Sequence, residues 1–241
     1  MVILITGSAK RIGLSIARFC AGKGYDVAMH CNSSRMIAEI EAEKIRKDFK
    51  VKCEVFECDL SNTEKIPLLF AEVLKVFTQI DVLINNASIF TKSSILNIEM
   101  SDMSNMFNIH LFSPALLCKV FALQNNMKHG LIINFLDKNI NRAKTKYFAY
   151  LHSKKSLWEL TQYLAVELAP NVRTNAISPG FIIEEEGAVV NKEYMDSQLE
   201  SIPLKRQGSV DDIIHAVEYL MDNKYVNGQN LYVDGGAFLV E

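Results

Sequence analysis

No apolar run in this chain approaches the roughly 20 residues that a membrane-spanning helix needs. The opening MVILI runs straight into Thr6-Gly7, with neither a charged n-region nor a long apolar core behind it, which argues against a secretory signal. A formal net charge of −2 supplies no field to attract nucleic acid or an anionic membrane. The five cysteines (Cys20, Cys31, Cys53, Cys58, Cys118) are odd in number and hold no C-x-x-C pair, so they read as reduced core thiols of a cytoplasmic protein. The five histidines (His30, His110, His129, His152, His215) lack metal-ligand spacing, and no metal is expected. Linkers rich in Pro, Gly or Ser, internal repeats and low-complexity tracts are also missing.

What is present is an ordinary globular balance: 241 residues, 49% hydrophobic and 22% charged, enough for a full core. Short apolar runs (Val2–Ile5, Asp26–Cys31, Val51–Glu57, Val82–Ile84, Leu131–Phe135, Val172–Ile177, Leu231–Val233) alternate with amphipathic stretches (Ile12–Lys23, Arg35–Phe49, Thr63–Phe77, Met103–Met127, Tyr147–Leu168, Val210–Met221). Strands apolar on both faces suit a parallel sheet covered by helices. The expectation is one α/β domain over 1–241, a Rossmann-type doubly wound parallel sheet. Its cofactor half would run to about residue 130 and its catalytic and substrate half over 131–241. The irregular segment Gly180 to Gly208 is too long for a tight connection and reads as a lid or a disordered loop. Its Glu184-Glu185-Glu186 reads as a solvated face.

The first strand leads into TGSAKRIG, residues Thr6 to Gly13, and then into a helix. Strand, glycine turn and helix together make a nucleotide fingerprint credible. Gly7 permits the tight turn, Gly13 lets the helix pack close to the sheet, and the helix N-terminus over Arg11-Ile12-Gly13 can hold a pyrophosphate. The second strand ends at Asn32-Ser33-Ser34, where a site preferring NAD would place an acid for the ribose 2′-OH. None stands there. Ser33 and Ser34 can equally cap the next helix. Taken with Arg11, a cation where a third glycine might stand, they favour a site for the extra phosphate of NADP(H).

Further along come Asn85-Asn86-Ala87-Ser88, Tyr150-x-x-x-Lys154, Ser178-Pro179-Gly180 and Asp234-Gly235-Gly236. In this order and spacing the chain resembles the short-chain dehydrogenase/reductase family over essentially its whole length. TGSAKRIG, GYDVAMHCNSS, NNASIF and INFLDKN…YFAYLHSKK look like its pteridine reductase and dihydromonapterin reductase branch. The resemblance implies a sheet of about seven strands, a homotetramer, and NADPH-dependent reduction of a dihydropterin or dihydrofolate. It also implies cofactor contacts from Asp59, Leu60, Asn86, Ala87, Tyr150, Lys154, Pro179 and Gly180, and a substrate site at Ser88, Phe90, Asp137 and Tyr150.

The catalytic residues can be read for their chemistry. Tyr150 and Lys154 stand at i and i+4 and share a helix face. A phenol titrates near 10, and an adjacent ammonium favours phenolate, tuning Tyr150 for acid–base work. Thirteen residues earlier the family usually has a serine for a substrate carbonyl; here it is Asp137, as in the pterin-reducing branch. A carboxylate repels a ketone oxygen but accepts from a nitrogen heterocycle; a solvated loop aspartate is the alternative. Phe90 falls where that branch stacks an aromatic on the pterin, though a loop Phe is otherwise core. His110, four residues before Pro114, aligns with the family's active-site Asn, either supporting the proton relay or packing as a core histidine. Two other functions stay open: a carbonyl reductase such as a 3-oxoacyl carrier-protein reductase, and a non-catalytic NADPH-binding sensor.

Overall fold

The computed structural model describes residues 1–125, 127–182 and 192–240; Glu184-Glu185-Glu186 and the middle of the expected lid lie outside them. β1 (Val2–Ile5) is VILI, with its last three residues buried. A strand without a polar side must be covered on both faces. Of the other strands, β2 (Asp26–Cys31), β3 (Cys53–Glu57), β4 (Val82–Asn85), β5 (Gly130–Phe135), β6 (Val172–Pro179) and β7 (Asn230–Val233), the inner ones are largely buried, while the edge strands β3 and β7 are only partly so. Among the described residues they form one parallel sheet in the order β3-β2-β1-β4-β5-β6-β7. The order reverses between β1 and β4, and the crevice beyond their carboxyl ends is where a doubly wound sheet binds ligands.

The connecting helices are α1 (Arg11–Gly22), α2 (Arg35–Phe49), α3 (Ile66–Val76), α4 (Met100–Phe107), α5 (Ser113–Ala122), α6 (Phe148–Glu167), α7 (Lys192–Ser201), α8 (Val210–Asp222) and the short α9 (Ala237–Val240). Ile16, Cys20, Ile45, Ile213 and Leu220, from α1, α2 and α8, bury one face of the sheet. Ile66, Phe70, Leu117 and Phe121, from α3 and α5, bury the other. Each fully buried side chain of this size contributes about 1.5–3 kcal/mol. All five cysteines are buried and free. No helix among the described residues is long and apolar enough to cross a membrane.

Two elements differ from expectation. The single helix expected over Met103–Met127 is α4, a π turn at Asn108–Phe112, and α5. Pro114 lacks the N–H that would donate to the carbonyl of residue 110, so an unbroken α-helix cannot form there. The segment expected to be irregular contains α7, whose sequence KEYMDSQLES has too little apolar periodicity to betray a helix.

Candidate active site

Past β1 the chain turns through Gly7, whose φ of +66° is left-handed; a Cβ there would stand 2.9 Å from Ala87 Cα. Gly13 is packed more tightly, since its Cβ would come within 2.4 Å of Gly7 O and 2.7 Å of Asn86 Nδ2. Asn86 braces this turn by donating Nδ2–H to Thr6 O at 2.9 Å and Gly7 O at 3.1 Å. The N–H groups of Asn86 and Ala87 donate to Thr6 Oγ1. His30, buried at the end of β2, pins the turn from the other side. It accepts Gly7 N–H at Nδ1 (3.1 Å), so Nε2 carries the hydrogen and donates to Cys58 O (2.9 Å). Burial lowers the His30 imidazole to about 4, against partial support from the Cys58 carbonyl and Asp59.

α1 begins with Lys10 at its N-cap and no side-chain capping bond. Its first-turn amides are thereby left for an anionic ligand. Arg11 has φ +57°, a left-handed backbone that costs a residue with a side chain about 1–2 kcal/mol.

A cavity of about 430 Å³ lies over this turn and continues to α6, where Tyr150 and Lys154 line it. Of the residues singled out in the sequence, Gly7, Arg11, Ile12, Gly13, Asn32, Asp59, Leu60, Asn86, Ala87, Ser88, Asp137, Tyr150, Lys154, Pro179 and Gly180 line it. Ser33, Ser34, Phe90 and His110 do not. Ser33 is exposed, and Ser34 sits at the N-cap of α2 without a side-chain cap bond, so its hydroxyl is not spent on the helix. The uncapped α1 amides, the cations Lys10 and Arg11 and the glycine cradle fit a dinucleotide phosphate.

At the catalytic end, Tyr150 O–H donates to Asp137 Oδ2 at 3.1 Å. Asp137 Oδ1 accepts Asn139 N–H at 2.7 Å and Asn139 Nδ2–H at 2.9 Å. The carboxylate is therefore held on both oxygens, unlike a freely solvated loop aspartate. Burial first, and the Asp137 charge and bond second, push the Tyr150 phenol well above its ordinary value near 10, while Ser88 pulls the other way. The sequence led us to expect Lys154 to favour phenolate; here burial and Asp137 set the direction, and the phenol keeps its proton. Lys154, buried and lowered by desolvation to about 8, donates Nζ–H to Phe135 O at 2.8 Å.

Phe90 stands outside the cavity lining and is 62% exposed. Its ring stacks on Tyr147 (centroids 4.8 Å, planes 22° apart) and meets Tyr150 edge-on at 4.8 Å. Tyr147 escaped sequence reading as a site residue; it is the N-cap of α6, with non-helical backbone, three residues before Tyr150. Lys10, His30, Ile89, Ile109, Phe135 and Leu136 were likewise missed as cavity lining. For His30, the signal available was a polar residue inside an otherwise apolar strand.

Behind the cavity, β4, β5 and α6 are tied by buried polar side chains. Asn85 Nδ2–H donates to Asn134 Oδ1 at 2.8 Å, and Asn134 Nδ2–H donates to Thr161 Oγ1 at 2.8 Å.

The family described as enoyl-(acyl carrier protein) reductase matches residues 7–237. Curated relatives include 3-oxoacyl-[acyl-carrier-protein] reductase FabG of Aquifex aeolicus, 32% identical over 98% of this chain and 97% of the relative. Its counterpart from Staphylococcus epidermidis is 30% identical over 98% of both. Among solved structures, FolM alternative dihydrofolate reductase 1 from Brucella canis, complexed with NADP, is similar with a TM-score of 0.91. It is 30% identical and covers 100% of this chain and 94% of its own.

Proposed function

The chain belongs to the short-chain dehydrogenase/reductase family and is an NAD(P)-dependent oxidoreductase; on that premise we propose that it reduces a dihydropterin-type ring with NADPH. The observation that carries the reading is the bond between Tyr150 and Asp137. A carboxylate in this place repels the oxygen of a ketone, whereas it accepts from the N–H and amino groups of a pterin. The similarity to FolM supports the same substrate class and cofactor.

NADPH, when bound, supplies the hydride. Gly7, Gly13 and the α1 amides would hold its pyrophosphate. Arg11, Ser33 and Ser34 would meet the 2′-phosphate, and Lys154 the nicotinamide ribose. Tyr150, kept as neutral phenol, gives the proton that follows the hydride. Asp137 orients that phenol and returns its proton from solvent. Phe90 offers the face not stacked on Tyr147 to a flat heterocycle. The chain is read as one domain, with α7 forming the described part of a lid. Exposed Tyr163 and Val166 on α6 and Leu123 after α5 support a homotetramer, which a light-scattering mass would check.

The FabG relatives support a second reading, reduction of a 3-oxoacyl thioester. One experiment separates the two: NADPH oxidation by the purified protein with a 7,8-dihydropterin, dihydrofolate and an acetoacetyl thioester. Turnover of the thioester alone defeats the pterin reading, and tight NADPH binding with no turnover on any of the three favours a sensor.

A further inference from the structure

His110 is 1% exposed, within the π turn at Asn108–Phe112. Because Pro114 has no N–H for the His110 carbonyl, Ser113 N–H reaches back five residues to Asn108 O. π turns of this kind recur at functional sites, and here the widened turn carries a ring that spans two elements. Ile89 N–H donates to His110 Nε2 at 3.1 Å. A peptide N–H only donates, so Nε2 is the acceptor and Nδ1 carries the hydrogen. Nδ1–H donates to Ser153 Oγ at 2.9 Å, and Ser153 O–H donates to Tyr150 O at 2.8 Å. Ser88 O–H, 2.9 Å from Nε2, shares the same lone pair.

Ser88 also meets the Tyr150 phenol, so the ring is linked to the acid on that side, but on the other side the chain ends on the Tyr150 backbone carbonyl and offers a proton no outlet. The titratable side chains facing the ring are on α6, namely Lys154 and, edge-on at 5.5 Å, Tyr150; Ser88, Ile89 and Phe90 carry no charge. Burial, helped by the Lys154 charge, holds the imidazole well below its ordinary 6.5 and so neutral.

We propose that His110 is a positioning residue, which fixes the Ser88–Phe90 segment against α6 through hydrogen bonds at both ring nitrogens and passes no proton. What it sets is the placement of Phe90 relative to Tyr150. The inference rests on the reductase reading for its kinetics, and its structural half is read without substrate.

The test compares His110→Gln with His110→Asn in the full chain. The Gln amide reaches toward the position of Nε2 and can accept from Ile89 N–H; the Asn amide reaches only that of Nδ1. Hydrogen exchange at the Ile89 amide, measured without ligand, should stay near native in the Gln variant. In the Asn variant it should quicken about tenfold, the usual effect of one lost hydrogen bond. With a 7,8-dihydropterin, KM should rise about tenfold for Asn and much less for Gln, with kcat and its pH profile little changed. A relay role predicts instead that both variants lose ~10²-fold or more in kcat, with an altered pH profile. That result, or a Gln variant no better than Asn in Ile89 exchange, overturns the proposal. Should the Asn variant fold poorly, Ser153→Ala removes the anchor and leaves the imidazole; unchanged Ile89 exchange there also overturns it. If the native protein leaves the dihydropterin untouched, the substrate reading fails while the exchange result still decides the clamp.

Discussion

The phenol of Tyr150 donates to Oδ2 of Asp137 across 3.1 Å, while Asn139 occupies the other carboxylate oxygen. Phenol and carboxylate thus form one unit, fixed by the end of β5 and the first turn of α6, and in the proposed mechanism they are the acid and its orienting group. Asp137→Asn keeps the shape but removes the charge, and single-turnover reduction of a dihydropterin should drop at least ~10²-fold with NADPH affinity intact. Asp137→Ser should lose pterin reduction and keep or gain carbonyl reduction. Native pterin rates in both variants would remove the main support for the substrate class.

Tyr150→Phe should leave NADPH binding unchanged and slow turnover by roughly 10²–10⁴-fold. Because the phenol titrates well above 10, the native enzyme should show no loss of rate from phenolate formation between pH 7 and 9. Stopped-flow traces of the variant at the native rate would exclude Tyr150 as the acid.

Arg11→Ala should weaken NADPH by roughly ten- to a hundredfold, the range of one charged hydrogen bond, and barely touch NADH. Equal affinity of the native protein for both cofactors, by fluorescence titration, would dismiss the phosphate assignment.

Phe90→Ala should raise the pterin KM roughly two- to tenfold, as the loss of one stacked pair implies, with NADPH affinity nearly unchanged. A KM equal to native would leave Phe90 as a partner of Tyr147 only.

Acid should destabilise the fold through His30. Its folded value of about 4 lies below the unfolded 6.5, so between these the unfolded chain binds more protons and stability falls as pH falls. The His30 share is on the order of 2 kcal/mol by pH 4.5. Urea midpoints at pH 7.5 and 4.5 should converge in His30→Gln relative to native; an identical acid loss in both would refute this.

Local pattern revealed much of the architecture. Short apolar runs such as VILI and LIINF, alternating with amphipathic stretches, signal strands buried on both faces, and TGSAKRIG after such a run signals a strand–turn–helix. Tyr150 and Lys154 stood out because they fall in order with the family's other motifs; a spacing of four alone says only that they share a helix face. What escaped depends on contacts between distant segments. The spacing to Pro114 drew attention to His110, yet nothing local announces that Ile89 and Ser153 will hold its two nitrogens. Tyr147 looked like an ordinary helix start, because its stacking partner lies 57 residues away in sequence. The direction of the phenol's shift was not legible, because burial and Asp137, which set it, are not written in a spacing of four.

If Arg11 holds the 2′-phosphate as proposed, its left-handed backbone puts heat resistance and cofactor choice in opposition at a single codon. The substitution Arg11→Gly would relieve the conformational cost and raise the melting temperature while surrendering the cation. Variants selected only for surviving heat would therefore drift toward glycine at this position and lose discrimination between the two nicotinamide cofactors.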